Sequence, residues 1–384
     1  MGHEVDNRDT LSKYAESCSQ CGECRLACDL LKDRNFTIGE IAESVAGGNL
    51  SESVCDIVRL CDVCGYCTRA CPAELESGAV VKAARKYFVA HGRLPLDGLE
   101  TMYVDHDWNA FSLYRNTYNV SYKDLELEHH DTLFFPGCSF STFAPEITRA
   151  AYSWLKAQGF NVGLTMLCCG KPLESLGLEH RSNSLQRVLK SQLDAAGAGR
   201  VVTVCPSCHQ VLEEALKGIE IISIYQLMRD AGVRLRGADA LTIHDSCSDR
   251  KKLETARYLR TILGGHPLVE MEHSGSDTIC CGAGGIVPAI ASELCGTRTR
   301  RRVAEFEKTG AVRMVTACMA CSRRLSDVAQ DGRVCHALEP IFGIELDYEE
   351  VNRNREAMWQ GEVGERNIAL LANAKRITQE DENE

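Results

Sequence analysis

Residues 200–208 read RVVTVCPSC and residues 312–321 read VRMVTACMAC. Each is a short apolar run that ends on a C-x2-C pair. Two more runs of this kind, TLFFPGC at 132–138 and LTIHDSC at 241–247, also end on a cysteine. Between them lie segments with helical spacing of apolar residues, such as PEITRAAYSWLKAQG (145–159) and DRKKLETARYLRTILGG (249–265). Strands alternating with helices of that length predict α/β units. Cysteines at strand C-terminal ends then stand where α/β folds bind their ligands.

The pattern occurs twice. Cys138, Cys168, Cys169, Cys205 and Cys208 reappear as Cys247, Cys280, Cys281, Cys318 and Cys321, offset by 109 to 113 residues. Self-similarity at one period predicts two copies of one supersecondary unit, at about 131–240 and 241–344, related by a pseudo-twofold axis. Two copies facing each other place two equivalent metal sites near one interface.

Outward from that region the texture changes. Residues 1–95 hold nine cysteines between helix-like stretches: LLKDRNFTIGEIAESVAGGNLSESVCDIVRL (30–60) suits short amphipathic helices, and SGAVVKAARKYFVAHG (77–92) reads as a helix ending at Gly92. Residues 96–130, with Asp105, Trp108, Tyr114 and Tyr118, read as a structured linker. Residues 345–384, with eleven acidic side chains against five basic ones, read as a solvated acidic tail rather than a docking helix around Ile368, Leu370 and Leu371. The expected fold is therefore α+β and multidomain: a helical domain followed by a duplicated α/β domain.

The chain has 384 residues and a formal charge of −11, which argues against nucleic acid as a partner. It contains no run of 18 apolar residues, so no direct membrane span is expected. The N-terminal MGHEVDNRDT is polar and lacks the apolar stretch of a secretory signal, so a cytoplasmic location is expected. Twenty-one cysteines in such a chain point to metal or cluster ligation, because cytosolic thiols stay reduced.

Cys18, Cys21, Cys24 and Cys28 form C-x2-C-x2-C-x3-C, and Cys61, Cys64, Cys67 and Cys71 repeat it, with Pro72 following. Three thiolates on one tight loop cap three corners of an iron cube, and the fourth points to the other cluster. Cys18, Cys21, Cys24 and Cys71 are thus assigned to one [4Fe–4S] cluster, and Cys61, Cys64, Cys67 and Cys28 to a second. Gly22 and Gly65 keep the loops free of side chains where amides face the cluster. Structural zinc is the alternative, but zinc takes four ligands, commonly as two separated pairs.

In the later repeats, one cysteine is followed by Cys-Cys-Gly and then C-x2-C. Neighbouring side chains diverge on an extended backbone, and five thiolates exceed the tetrahedral need of zinc. A larger multi-iron centre uses them all, with Gly170 and Gly282 letting the backbone pack against it.

The doubled C-xn-CCG-xn-C-x2-C pattern resembles the CCG domain of heterodisulfide reductases and their relatives. With a two-cluster ferredoxin module in front, nearly the whole chain resembles the membrane-type catalytic subunit of heterodisulfide reductase, and also the sulfite-reductase-associated and other bacterial heterodisulfide-reductase-like subunits. The resemblance implies that Cys138, Cys168, Cys169, Cys205 and Cys208 hold one noncubane [4Fe–4S] cluster and serve catalysis. Cys247, Cys280, Cys281, Cys318 and Cys321 hold a second. It implies an oxidoreductase subunit with four clusters that reduces, or reversibly forms, a disulfide-type substrate between paired clusters. All ten positions are occupied, whereas some relatives, such as iron–sulfur subunits of flavin-linked dehydrogenases, have lost ligands. The alternative is a non-catalytic relay between a flavin dehydrogenase and a quinone or membrane cytochrome.

Expected partners are a flavoprotein, membrane cytochrome or quinone-reactive subunit, together with a disulfide-type small molecule or a small thiol protein. Such a partner would hold the chain peripherally at the inner face of the membrane. Clusters with exposed thiolate ligands imply lability in air. Outside the motifs, Cys55, Cys295 and Cys335 read as small buried hydrophobes. His244 reads either as a donor to a product thiolate or cluster sulfide, or as a structural histidine. His209 reads as structural, and Lys171 and the basic run Arg298 to Arg302 read as solvated charge. The string CGAGG resembles half a dinucleotide fingerprint, but its cysteine context explains it better, and no NAD or flavin site is expected.

Overall fold

The computed structural model describes residues 2–329 and 332–378. Its first ninety or so residues are helical, the longest helices being Gly2–Ser17 and Ser77–Ala90. Between them, Ile38–Ala46 and Glu52–Leu60 each start on a side chain that takes up an orphan amide. Thr37 Oγ1 accepts from the Glu40 amide at 3.1 Å while Glu40 Oε2 accepts from the Thr37 amide at 2.7 Å, a reciprocal cap. Ser51 Oγ accepts from the Val54 amide at 3.4 Å. The inward faces (Ile38, Ile41, Val45, Val54, Ile57 and Val58) pack with Val80, Ala84 and Phe88 in one core.

From residue 132 the chain forms two parallel sheets. β1 (Thr132–Phe135), β2 (Val162–Leu164), β3 (Arg200–Thr203) and β4 (Glu220–Ser223) lie in the order β2-β1-β3-β4. β5 (Leu241–Ile243), β6 (Arg313–Thr316) and β7 (Val334–His336) lie in the order β5-β6-β7. Thr132 pairs with Val162 on one side and Arg200 on the other, and Leu241 pairs with Arg313. The succession β5, β6, β7 matches β1, β3, β4. Where β2 would have its counterpart, Leu268 makes a single parallel bridge to Leu241. Helices cover both faces of the strands, which is why the strands read as unbroken apolar runs. Leu133, Phe134 and Phe135 are fully buried.

One core spans both sheets through Phe134, Phe140, Val202, Ile243, Leu259 and Val315. Residues 96–130 are bound into it: Leu113, Tyr114 and Tyr122 are buried there, and fully buried Asp105 takes a two-pronged bond from Arg181, 2.8 Å in each arm. Among the described residues no helix is long and apolar enough to cross a membrane.

The reading of residues from 345 onward as a solvated tail is corrected. They form the helices Tyr348–Ala357 and Gly361–Ala372, and Tyr348, Val351 and Met358 are buried in the main core. Buried Asn367 donates to Met358 O (2.8 Å) and Thr117 Oγ1 (3.1 Å), and the Tyr118 hydroxyl donates to Asn354 O at 2.7 Å. Leu370 and Leu371 pack on the core, while Ile368 is exposed. Acidic residues dominate the outer face and hide this apolar stripe in a composition count. Residues 379–384 lie outside the described part.

His336, at the end of β7, is buried with both ring nitrogens engaged: Nδ1 accepts from the Leu338 amide at 3.3 Å and Nε2 donates to Ala317 O at 3.1 Å. Burial lowers its pKa from 6.5 to about 4, so the folded chain keeps the ring neutral where the unfolded chain takes up a proton. The native state therefore loses stability as pH falls through 6.5 towards 4. Between pH 7 and 5.5 the wild type should lose about 1 kcal/mol more than His336→Gln, measured by chemical denaturation at the two pH values.

Candidate functional site

Each N-terminal cysteine loop turns on a glycine in the left-handed region: Gly22 at φ 85° caps the helix Glu23–Ala27, and Gly65 at φ 74° caps Tyr66–Ala70. Cys18, Cys21, Cys24 and Cys71 line one cavity of about 20 Å³, and Cys28, Cys61, Cys64 and Cys67 line another of about 70 Å³. In each cavity one thiol comes from the opposite motif. The Ile38 amide donates to Cys24 Sγ at 3.4 Å, and the Val63 amide to Cys61 Sγ at 3.3 Å. A Cβ at Gly39 would fall 2.6 Å from Cys18 Sγ, so glycine there makes room for sulfur. Burial raises the thiols of Cys24, Cys28 and Cys67, and that of Cys61 to about 12.

In the first repeat, β1 delivers Cys138 and β3 delivers Cys205. Cys168 Sγ lies 3.7 Å from Cys138 Sγ, and Cys168, Cys169 and Cys208 are buried in one core. Gly137, at φ 84°, admits Cys208, whose sulfur would stand 3.0 Å from an added Cβ. Gln186 Nε2 donates to Cys169 O at 3.2 Å. In the second repeat Cys281 and Cys321 bring their sulfurs to 3.2 Å, and Thr299 Oγ1 lies 3.0 Å from Cys281 O. Close neighbouring sulfurs, then burial, push the thiols of Cys168, Cys208, Cys280 and Cys321 well above their ordinary range. Every described cysteine is a free thiol.

The groups adjoin in series. Cys280 lines the same cavity as Cys28, Cys61, Cys64 and Cys67, which ties the second N-terminal group to the second repeat. Cys205 packs against the cluster that holds Cys281, Cys318 and Cys321, and Ser207 Oγ donates to Ser248 Oγ, beside Cys247, at 3.1 Å, so the C-x2-C segment of the first repeat lies against the cysteine-bearing segments of the second. At the other end, Cys21 is the one exposed thiol among the described residues, and nearby Leu26 is 68% exposed.

Residues that carry no signal in the sequence hold the first junction. Asp62, inside the second N-terminal motif, is buried and accepts from Arg298 Nη1 at 2.7 Å and from the Cys280 thiol at 2.9 Å. Fully buried Arg85 donates to Val58 O at 3.0 Å and to Ser175 O at 3.1 Å, and also bonds to Cys61 O. Arg250 donates to Cys64 O at 3.3 Å and to Thr278 O at 2.6 Å. The glycines of CGAGG serve this contact: a Cβ at Gly284 would fall 2.8 Å from Asp62 O, and one at Gly285 3.0 Å from Cys61 O.

The reading of the basic run as solvated charge is corrected at Arg298 and Arg302, while Arg300 and Arg301 are exposed. Arg298 holds Asp62, Arg301 pairs with Asp29 at 2.6 Å, and Arg302 is fully buried beside His244. His244 is itself buried, with a ring nitrogen and the sulfurs of Cys281 and Cys321 all within 4.8 Å of one another. Lys171 lies 3.5 Å from Glu174, and His209 Nδ1 lies 3.0 Å from Thr203 Oγ1. Cys55, Cys295 and Cys335 are buried. The partners of the buried arginines lie up to 238 residues away, beyond the reach of any local pattern.

The donor set fits iron–sulfur clusters. The thiols converge on shared points, glycines leave room for sulfur, and two buried donors beside the second-repeat thiols, Arg302 Nη2 and the Ser246 hydroxyl, have no hydrogen-bond partner. Uncompensated buried donors suit an anionic group.

The cysteine-rich domain family, CCG, matches residues 132–213 and 241–326. The chain is 26% identical over 307 residues to the D component of the dihydromethanophenazine:CoB–CoM heterodisulfide reductase of Methanosarcina barkeri, covering 71% of this chain and 73% of the relative. It is 24% identical to the D component of the same reductase in Methanosarcina acetivorans, over 81% of this chain and 88% of that one. An uncharacterized iron–sulfur protein of Methanococcus maripaludis is 24% identical over 82% of this chain and 68% of its own length. The gathered thiols and these matches lead to one conclusion: the chain carries two cysteine-rich CCG domains and is an iron–sulfur redox protein related to the D components of heterodisulfide reductases.

Proposed function

We propose that this chain is the disulfide-reducing subunit of a larger redox complex and works reversibly on a disulfide-type substrate at its two CCG sites. The observation that supports the reading is sulfur beside sulfur in both repeats, Cys138 and Cys168 at 3.7 Å and Cys281 and Cys321 at 3.2 Å, with Cys205 of the first repeat packed against the cluster that holds Cys281, Cys318 and Cys321. Cys18, Cys21, Cys24 and Cys71 would hold one cubane cluster, and Cys28, Cys61, Cys64 and Cys67 a second. The five thiols of each repeat would hold a noncubane cluster. Bound there, the clusters supply single electrons and iron sites that take up thiolate sulfur.

The protein's own groups set the conditions. Cleaving a disulfide consumes two electrons and leaves two thiolates, so two neighbouring acceptor sites suit a substrate with two sulfurs. Cys205 and Cys318 define where those sites approach each other. Asp62 and Arg298 hold the N-terminal thiols against the second repeat, Arg85 ties the same helices to Ser175 of the first, and the exposed end at Cys21 and Leu26 is left for a donor subunit. That donor would be a flavoprotein or a membrane cytochrome.

Purified without oxygen, the chain should carry about sixteen irons, four for each of four clusters; about eight would leave the CCG assignment without support. Cys281→Ala should remove or convert one cluster signal by EPR, leave the N-terminal pair intact and lower disulfide reduction by orders of magnitude. Retained turnover with that signal gone would favour a relay role.

The junction gives a second test. Arg298→Ala strands the buried Asp62 carboxylate and should destabilise the fold by about 3–5 kcal/mol, much of it recovered in the double variant with Asp62→Ala. Chemical denaturation of the four proteins in the cycle measures this.

A further inference from the structure

The two repeats match in their cysteines but not around them. Phe135 stands three residues before Cys138, and His244 three residues before Cys247. Leu189 and Arg302 correspond in the same way: each is the eleventh residue of an 18-residue helix, Glu179–Ala196 and Ser292–Thr309. Phe135 and Leu189 are fully buried. His244, 2% exposed, and Arg302, 0% exposed, occupy the matching places in the second repeat. Burying a guanidinium costs several kcal/mol unless its hydrogens are bonded, so its retention in this interior calls for an explanation.

Its bonds supply one. Arg302 Nη1 donates to Glu305 Oε2 at 2.6 Å and to His273 O at 2.8 Å, which fixes the guanidinium plane. Arg302 Nε then donates to His244 Nδ1 at 2.9 Å. A guanidinium has donors only, so Nδ1 must present its lone pair, and the hydrogen of the neutral ring sits on Nε2. Nδ1 is thereby occupied, and Nε2–H is the ring donor left for the sulfurs of Cys281 and Cys321, which lie within 4.8 Å. The next residue, Asp245, is anchored by Arg260 at 2.7 and 2.8 Å and by the Gly275 amide at 2.6 Å, so the strand end carrying His244 is rigid.

We infer that Arg302 and His244 are a positioning pair for the second CCG site alone: Arg302 locks the imidazole so that Nε2–H donates to Cys281 Sγ. The inference rests on the cluster reading above and makes the two CCG sites inequivalent. An N–H···S bond draws electron density from a ligating sulfur and favours the reduced state of whatever that sulfur binds. Phe135 and Leu189 give Cys169 no such donor. The first site has a buried cation nearby in Arg115, but its Nη1 donates to Thr142 Oγ1 at 2.8 Å. The difference therefore lies in a buried imidazole donor, whose place in the first repeat is taken by Phe135.

The test uses anaerobically purified holoprotein as wild type, His244→Phe (the side chain of the first repeat), His244→Gln and Arg302→Leu. Iron is counted first, and EPR-monitored redox titration follows. One CCG signal should move to a more negative midpoint potential in His244→Phe and Arg302→Leu, with the other signals unmoved. His244→Gln, which keeps an N–H donor, should restore part of the shift. Resonance Raman spectra in H₂O and D₂O should show a deuterium-sensitive Fe–S stretch in the wild type that is lost in His244→Phe. Full iron content with all potentials and stretches unchanged overturns the pairing and leaves the cluster reading standing. Iron near eight per chain in the wild type overturns both. If Arg302→Leu does not fold, the two His244 variants decide the question alone.

Discussion

The constraint that shapes this molecule is the crowding of thiols. Eight N-terminal thiols line two cavities, and in the CCG repeats Cys138 lies 3.7 Å from Cys168 and Cys281 3.2 Å from Cys321. Such thiols are hard to ionise together, as the raised values at Cys67, Cys168, Cys280 and Cys321 record. A bound cation or cluster relieves that repulsion, so the arrangement makes physical sense as a set of ligands. The fold meets the convergence with two devices. Strand ends bring Cys138, Cys205, Cys247 and Cys318 in from parallel sheets, and left-handed glycines turn the loops tightly enough to bring in the rest.

Convergence alone would leave separate modules. Buried charge joins them: Arg298 on Asp62, Arg85 on the carbonyls of Val58 and Ser175, and Arg250 on Cys64 O and Thr278 O. Each arginine spans from the N-terminal helices to the sheet region, or along that seam. Because breaking a buried pair costs far more than the intact pair contributes, such contacts set one relative placement of the parts.

How much of this is legible in the sequence depends on how local each signal is. The cysteine spacings are local, and so are the apolar runs before Cys138, Cys205, Cys247 and Cys318, which are the strands β1, β3, β5 and β6. The final helices escape a sequence reading because their acidic outer faces dominate composition and hide the inward stripe of Tyr348, Val351, Met358, Leu370 and Leu371. The basic run misleads for a related reason. Arg298 and Arg302 sit on a helix rich in charge, and nothing in the sequence shows that Asp62, 236 residues earlier, stands opposite one of them. Asp62 gives no signal of its own, since the variable positions of a C-x2-C tolerate most side chains. The cysteine context of CGAGG is visible in the sequence, but the use of its glycines as a close-packed seam shows only against the partner surface.

The duplication carries a further lesson about reading repeats. Matching cysteines define what the two CCG units share, and matching strand order extends that likeness to the backbone. Function in a duplicated unit rests also on where the copies part. Here the second copy borders the N-terminal thiols, Cys280 lining the cavity of Cys61, Cys64 and Cys67, and its cysteines lie close to the polar groups Asp62, His244, Arg298 and Arg302. The first copy has Leu185 and Leu189 at the positions of Arg298 and Arg302, and Phe135 at that of His244. Placing charge in a protein interior is costly and requires dedicated partners, each of which must be kept. That the second copy bears this cost where the first has Phe135, Leu185 and Leu189 makes the surroundings of the two sets of cysteines unequal, although their spacing is the same.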